Sequence, residues 1–249
     1  MGASRSTESC GGDNHCMPPP RRPKAVPCDY DRDPERFRTA RTVQQRHALA
    51  RDVHERVARR LLSDGVTPVL DIGCGEGELA RHLPDGAWVG LDSSPTMLAG
   101  APSPKVVGDA TALPFPDGSF HSAALLYVLY HLSDPALALA EAHRVLRPHG
   151  LVAVAAPSRH DSPELAHALP CRPLTFDAEL APGLLGERFA DVEVERWDAP
   201  LVELPSRRAV RDYLIGKGSD PERARAAAEV ADVPLPVTKR GAIAFARRR

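Results

Sequence analysis

Residues 69–77 read VLDIGCGEG: apolar residues around one acid, then glycines at alternate positions. A short apolar run of this kind predicts a buried β-strand that ends near residue 72. Because glycine has no Cβ, Gly73, Gly75 and Gly77 permit positive φ angles and let a ligand come close to the main chain. The stretch therefore predicts a small molecule bound where a strand ends.

Apolar segments of strand length recur along the chain and alternate with helical patterns. Asp134 and Pro135, for example, are an N-cap and a first-turn residue typical of a helix start. Such alternation predicts an α/β protein with a parallel sheet and helices on both of its faces. The predicted strands are 66–72, 87–91, 105–107, the first part of 120–129, 151–155, 191–197 and 241–246.

The chain divides into a leader and one domain. Residues 1–28 are rich in Gly, Ser, Pro and Arg and contain few apolar residues, so we expect a disordered leader. Residues 29–249 are expected to form the α/β domain. The regular pattern loosens after residue 157, and helical segments near 158–186 and 199–236 are expected to cap the ligand crevice.

Composition excludes several classes of function. The 249 residues carry a formal net charge of -1, which argues against a nucleic-acid partner or a charged membrane surface. No apolar run reaches the roughly 18 residues of a membrane span, and no secretory signal is visible. Cysteines in a chain without an export signal read as reduced thiols. We therefore expect a cytoplasmic protein, monomeric or homodimeric, with a small-molecule partner.

Two local clusters have simple interpretations. The cysteines and histidine at positions 10, 15, 16 and 28 lack the spacing of paired Cys-x-x-Cys ligands, so we expect no metal site. The three arginines at 247–249 are interpreted as a solvated tail.

Acids end three of the predicted strands: Asp71, Asp92 and Asp109. In an open parallel sheet, ligands bind outside the carboxyl ends of the strands, near the point where strand order reverses. Asp92 lies about 20 residues after Gly73, where an acid can accept two hydrogen bonds from a ribose diol. The three acids therefore predict a ribose-bearing ligand.

The glycine spacing separates two classes of such ligands. A dinucleotide needs Gly-x-Gly-x-x-Gly, but Glu78 occupies the place of the third glycine. The carboxylates of Glu76 and Glu78 would also repel a pyrophosphate. A cofactor with a positive centre and no phosphate, such as S-adenosylmethionine, fits better than NAD. An NAD-dependent oxidoreductase remains as a more remote alternative.

Four motifs in order then resemble the class I S-adenosylmethionine-dependent methyltransferases. Together they are similar to the type 11 small-molecule branch, which includes ubiquinone and menaquinone biosynthesis methyltransferases. The resemblance covers about residues 49–156 and implies a Rossmann-like, doubly wound, seven-stranded sheet, mostly parallel with an antiparallel last strand. It implies S-adenosylmethionine as cofactor and a small-molecule methyl acceptor, with a non-catalytic cofactor-binding or regulatory protein as the alternative. The first three motifs lie at 69–77, 92–97 and 108–115, and the fourth comprises the family's fourth and fifth regions, at 120–135 and 144–150.

The resemblance implies roles around the methionine part of the cofactor. Asp71 would meet the cofactor's amino group, directly or through water. The loop of Gly73, Gly75 and Gly77, with the small residue Cys74 between them, would pass under the methionine part.

It implies further roles around the adenosine part. Asp92 would hold the ribose hydroxyls, and Ser93 and Met97 would border the adenosine. Asp109 would accept a hydrogen bond from the adenine amino group, and Ala110 would offer its backbone amide to the ring.

The end of the fourth strand is expected to face the sulfonium, through Leu126 and Tyr127. Two residues that follow are candidates for catalysis: Tyr130, lining the methyl path, and His131, as a general base. The alternatives are a core aromatic and a hydrogen-bonded loop residue. A base matters only when the attacking atom must lose a proton.

Overall fold

The structure is a computed structural model that describes residues 38, 42–43, 47–48, 53–170 and 174–249. The leader predicted at 1–28 lies outside the described residues.

The described residues form a seven-stranded sheet with the order β3-β2-β1-β4-β5-β7-β6. Every neighbouring pair is parallel except those of β7, which runs antiparallel to both β5 and β6. The predicted Rossmann-like sheet with an antiparallel last strand is thus confirmed. The strands are β1 Val69–Ile72, β2 Trp88–Asp92, β3 Lys105–Val107, β4 Phe120–Leu126, β5 Leu146–Pro157, β6 Phe189–Leu204 and β7 Leu235–Arg248.

Helices connect the strands, and several begin as their sequences predict. Asp134 accepts a hydrogen bond from the Ala136 amide at 3.0 Å, and Pro135 occupies the first turn. The helices of the described part are α1 Val53–Ser63, α2 Pro95–Leu98, α3 Pro135–Val145, α4 Ala181–Gly186, α5 Arg207–Gly216 and α6 Pro221–Val230. Short 3₁₀ turns lie at Leu79–His82, Leu129–His131 and Pro163–Leu165.

Both faces of the sheet are buried, which explains why residues 151–156 are apolar without interruption. Because successive side chains point to opposite faces, Val152 and Val154 join α3 and α4 in one core. Ala153 and Ala155 join α1 in the other.

A third core lies beyond the sheet proper, around Tyr213, Leu214 and Ala224 of α5 and α6. The two helices are inserted between β6 and β7, and the strand ends at Val202, Leu204 and Val237 complete the core. We call α5, α6 and these strand ends the cap. β6 is longer than the predicted 191–197 because its pairing with β7 continues through an irregularity at 200–202. Proline is compatible with an edge strand such as this one.

Candidate functional site

The glycine loop, residues 73–77, follows β1 and has positive φ angles that residues with a Cβ rarely adopt. Its glycines have φ angles of +73°, +55° and +78° at Gly73, Gly75 and Gly77. A Cβ at Gly73 would lie 2.4 Å from Val128 Cγ2, and one at Gly77 would lie 2.7 Å from Pro102 Cδ. The loop therefore needs glycine both for its backbone angles and for its close packing.

Asp92, at the end of β2, is fixed by two backbone amides. Gly75 N donates to its Oδ2 at 2.8 Å, and Ser94 N donates to its Oδ1 at 2.9 Å. A carboxylate oxygen can accept more than one hydrogen bond. The carboxylate is thus oriented by the loop that it faces and retains capacity for a ribose diol.

Asp71 is the most buried acid of this site, with 3% of its surface exposed. The indole N–H of Trp88 donates to its Oδ2 at 3.0 Å, and the carboxylate retains acceptor capacity for a cofactor ammonium. Burial raises the pKa of Asp71 to about 6, although the Trp88 hydrogen bond and the charge of His54 act in the opposite direction. Asp71 therefore titrates close to neutral pH.

His54 was not predicted from the sequence, yet it lies near this acid. Its ring centroid is 6.3 Å from that of Tyr127, and its charge influences Asp71. The helical spacing could have revealed it: His54 precedes Val57, Ala58 and Leu61 by three, four and seven positions, which places all of them on one helix face. Those three residues are buried against the sheet, so His54 turns toward it as well.

Asp109 begins the loop after β3, at the same edge as Asp92. Gly108 N donates to the Asp92 carbonyl at 3.0 Å. The exposed Asp109 accepts hydrogen bonds at Oδ1 from the amide and hydroxyl of Thr111, both at 2.8 Å. Ala110 is buried beside it, with 7% exposed. The two predicted adenine contacts thus belong to one short loop.

Ser93 and Met97 differ in their surroundings. Ser93 is exposed, whereas Met97 is 2% exposed and its Cε lies 3.5 Å from where a Cβ on Gly75 would be. Met97 thus supports the glycine loop from within.

Cys74 lies in the same loop and is half-buried. Burial, together with Asp71 and Asp92, raises the pKa of the Cys74 thiol far above its usual range. The thiol is therefore neutral and unreactive, which agrees with the interpretation of Cys74 as a small residue between the glycines.

The end of β4 supplies the remaining predicted residues. Leu126 is buried, and Tyr127 has a φ of 58°, which is unusual for a residue other than glycine. The Tyr127 amide donates to the Ala155 carbonyl at 2.9 Å, which fixes this turn to β5. Such backbone conformations concentrate at functional sites.

Tyr130 and His131 follow in the 3₁₀ turn, with ring centroids 4.2 Å apart and both side chains half-buried. Their catalytic roles stay predictions.

The glycine loop, Asp92 and Tyr127 lie together because β1 is flanked by β2 and β4. Strand order reverses between β1 and β4, which is where open α/β sheets bind ligands. Among the described residues, no group of three or more His, Cys, Asp or Glu is arranged to hold a metal ion. No helix in the same part of the chain is long and apolar enough to cross a membrane.

A family model described as a methyltransferase domain matches residues 70–154. Residues 70–154 thus match a methyltransferase domain, and the sheet around them has the topology of the class I, S-adenosylmethionine-dependent type. That span contains the glycine loop, Asp92, Asp109 and the end of β4. The cofactor of this family is S-adenosylmethionine.

Named relatives agree with this match. A demethylmenaquinone methyltransferase of Roseiflexus castenholzii is 42% identical over 107 residues, which are 39% of this chain and 45% of that protein. A malonyl-[acyl-carrier protein] O-methyltransferase of Dechloromonas aromatica is 38% identical over 140 residues, 53% of this chain and 52% of that protein. The chain spans about half the length of the curated relatives it matches.

A solved structure shows how widely the fold is used. The [4+2]-cyclase SpnF aligns with a TM-score of 0.54 and 20% identity, over 81% of this chain and 87% of that chain. The likeness concerns the fold alone, and a fold does not determine a reaction.

Proposed function

We propose that the protein transfers a methyl group from S-adenosylmethionine to a small-molecule acceptor with an oxygen, nitrogen or carbon nucleophile. The observation that carries the proposal is Asp92, held by the amides of Gly75 and Ser94 at the strand edge that also presents Asp71. One strand edge thus offers an acid for a ribose and a buried acid for an ammonium group.

The chain's own residues bind and orient in this reaction. When bound, S-adenosylmethionine supplies a methyl carbon activated by a sulfonium. Asp92 would hold the ribose, Asp71 the amino group, and Asp109 with Ala110 the adenine. Positioning alone can lower a barrier by roughly 7–11 kcal/mol, so the proposal requires no strong base. If the acceptor must lose a proton, we propose His131 as the general base that receives it.

The glycine loop argues against the NAD-dependent alternative. Glu78 replaces the third glycine of a dinucleotide motif, and its side chain is only 13% exposed. Because Arg81 forms an ion pair with Glu78 at 3.1 Å, the missing third glycine, and not the charge of the carboxylate, disfavours a dinucleotide.

Titration calorimetry with S-adenosylmethionine and with S-adenosylhomocysteine, its demethylated product, tests the proposal directly. We expect binding of both, and the absence of binding at millimolar ligand would contradict the cofactor assignment. A tritiated-methyl assay over a metabolite panel then separates an enzyme from a non-catalytic binding protein, since only the enzyme forms labelled product.

The identity of the methyl acceptor is a separate question from the identity of the cofactor. The acceptors named for the relatives, demethylmenaquinone and a malonyl group on a carrier protein, share little chemistry. The cap is the part of the described chain that we propose shapes the acceptor pocket, because it stands beyond the cofactor edge and has its own core. The cytoplasmic location and the monomeric or homodimeric state stay predictions.

A further inference from the structure

Arg144 of α3 holds the loop that follows β3 through several hydrogen bonds. Arg144 Nε and Nη2 donate to the two carboxylate oxygens of Glu141, both at 2.8 Å. Its Nη2 also donates to the Leu113 carbonyl at 3.0 Å. Its Nη1 donates to the Phe115 carbonyl and to Asp117 Oδ1, both at 2.8 Å. These contacts employ all five N–H donors of a guanidinium group.

Glu141 completes the grip from the other side. Its Oε2 accepts a hydrogen bond from Leu113 N at 2.8 Å, so Leu113 is held at both its amide and its carbonyl. Gly118 N donates to the Arg144 carbonyl at 3.0 Å, which fixes the far end of the loop to the same helix. We call Arg144 and Glu141 the clasp.

The clasped loop begins with the residues assigned to adenine. Asp109 and Ala110 precede Leu113 closely, and the Ala112 amide donates to the Asp109 carbonyl at 3.1 Å. The Asp109 side chain bonds only within its own loop, to Thr111, among the residues that the structure describes. Its position therefore depends on how firmly the loop is held at its two ends.

We propose that Arg144 and Glu141 are positioning residues for adenine recognition. They order the loop in advance, so that the Asp109 carboxylate and the Ala110 amide stand where the adenine edge arrives. Because a loop that is already ordered loses less conformational entropy on binding, the clasp strengthens adenine binding without touching the ligand. This inference rests on the proposed function, since it takes the adenine contacts from the family.

The grip requires the shape of arginine. Its planar fork meets one carboxylate side by side while its outer donors reach two carbonyls and a second carboxylate. Lysine offers one point charge with three donors and cannot span these partners. Arg144→Lys therefore keeps the charge and removes the grip.

The test compares two ligands that differ only at the adenine edge. S-adenosylhomocysteine carries the amino group that Asp109 would accept, whereas S-inosylhomocysteine carries an oxygen there. We expect wild-type protein to prefer the first. In Arg144→Lys and in Glu141→Gln, we expect affinity for S-adenosylhomocysteine to fall about tenfold and affinity for S-inosylhomocysteine to fall less. The preference ratio should therefore shrink, as measured by calorimetry.

Arg208→Lys is the matched control, because Arg208 is also a helical arginine paired with a carboxylate, Asp212, at 3.5 Å. It lies on α5, in the cap, and we expect its ratio to equal that of the wild type. Thermal melting of every variant shows which of them fold.

An unchanged ratio in folded Arg144→Lys overturns the proposal, because a merely structural role would weaken both ligands alike. Should Arg144→Lys fail to fold, folded Glu141→Gln decides in the same way. Asp117→Ala removes only the exposed contact and should shift the ratio least, since that carboxylate is 77% exposed. Failure of wild-type protein to bind S-adenosylhomocysteine would instead contradict the proposed function.

Discussion

At the scale of single residues, Asp71 combines deep burial with a place where a charged ligand is expected. Burial has the largest effect on its pKa, which is raised to about 6. Trp88 and His54 favour the ionised form, and Asp92 disfavours it. The ammonium group of a cofactor would complete the ionisation, because an opposite charge at short range favours the charged form of a carboxyl group.

Cofactor affinity should therefore depend on pH through Asp71. Below about pH 6 the free protein holds a proton on Asp71 that must leave when an ammonium group binds. We expect the dissociation constant of S-adenosylhomocysteine to rise up to about tenfold for each pH unit below that value. Calorimetry between pH 5 and 8 measures it, with flat and weaker binding expected for Asp71→Asn. A flat profile for the wild type would contradict this role of Asp71.

Asp71 should also lower the free energy of unfolding at neutral pH. Its pKa of about 6 in the folded protein exceeds the ordinary value of 3.8, so the folded state holds the proton more tightly than the unfolded chain. Its contribution to stability is thus greatest in acid and falls as pH rises through about 4 to 6. Asp71→Asn should raise the free energy of unfolding by about 3 kcal/mol at pH 7.5. Urea denaturation measures this, and exposed Asp232→Asn is the control.

Asp92 is the acid on which the ribose assignment depends. Asp92→Ala removes both the carboxylate and the two hydrogen bonds from Gly75 and Ser94. Hydrogen bonds to a charged group contribute about 1.5–3 kcal/mol each, so S-adenosylhomocysteine affinity should fall at least about tenfold. Calorimetry measures it beside the exposed Asp85→Ala. An unchanged dissociation constant would remove Asp92 from the ribose.

At the scale of elements, the glycine loop is limited by backbone angle and by space. Gly73 and Gly65 have similar φ angles, +73° and +65°, but a Cβ would clash with Val128 only at Gly73. Gly65→Ala should cost only the left-handed strain, about 1–2 kcal/mol. Gly73→Ala should cost more because of the clash, and Val128→Ala should restore part of the loss. Thermal melting of Gly65→Ala, Gly73→Ala, Val128→Ala and the double variant Gly73→Ala/Val128→Ala measures these losses; equal losses at both glycines would show that space does not matter.

The strands that carry the proposed cofactor residues, β1 to β4, could be predicted from local sequence, because a strand and the acid or glycine that ends it are adjacent in the chain. The segment VLDIGCGEG and Asp92 indicated the strand ends, and the structure places both at one edge. The proximity of His54 to Asp71 depends on how α1 rotates against the sheet. The grip of Arg144 on Leu113 joins residues 31 positions apart, and no short-range pattern encodes it.

At the scale of the whole molecule, the cap is fastened to the sheet by one buried lysine. Lys239 forms an ion pair with Asp161 and donates to Ser162 Oγ at 3.0 Å and to the Tyr213 hydroxyl at 3.1 Å. Burial alone would lower the pKa of Lys239, but Tyr213 and Asp161 more than offset it, and the pKa is raised. The lysine therefore stays charged and joins β7 to α5.

Loss of this lysine should loosen the cap more than the sheet. Lys239→Met leaves Asp161 without its cation, and breaking one side of a buried ion pair costs about 3–5 kcal/mol. Amide hydrogen exchange should become faster in α5 and α6 while β1 and β4 stay protected. Lys217→Met is the control, since Lys217 also lies over the Tyr213 ring, 5.7 Å from its centroid, but is exposed. Equal exchange in the two variants would contradict this role of Lys239.

The extent of the cap could not be predicted from sequence alone. Residues 191–197 alternate as a strand should, but Pro200 interrupts the pattern before β6 ends at Leu204. The helical patterns of α5 and α6 are visible in the sequence. The core that these helices share with Val202 and Val237 forms only because β6 pairs with β7, which lies far from it in the sequence.

The insertion of α5 and α6 between two paired strands also has an evolutionary consequence. The Leu204–Leu235 pair brings the start and end of the insertion side by side, so residues 205–234 enter and leave the domain at nearly one point. A replacement segment of different length or shape that still covers Val202, Val237 and Lys239 would leave the sheet register and the cofactor loops intact. Acceptor specificity, which we propose resides in the cap, can thus change through replacement of residues 205–234 while the proposed cofactor site is retained.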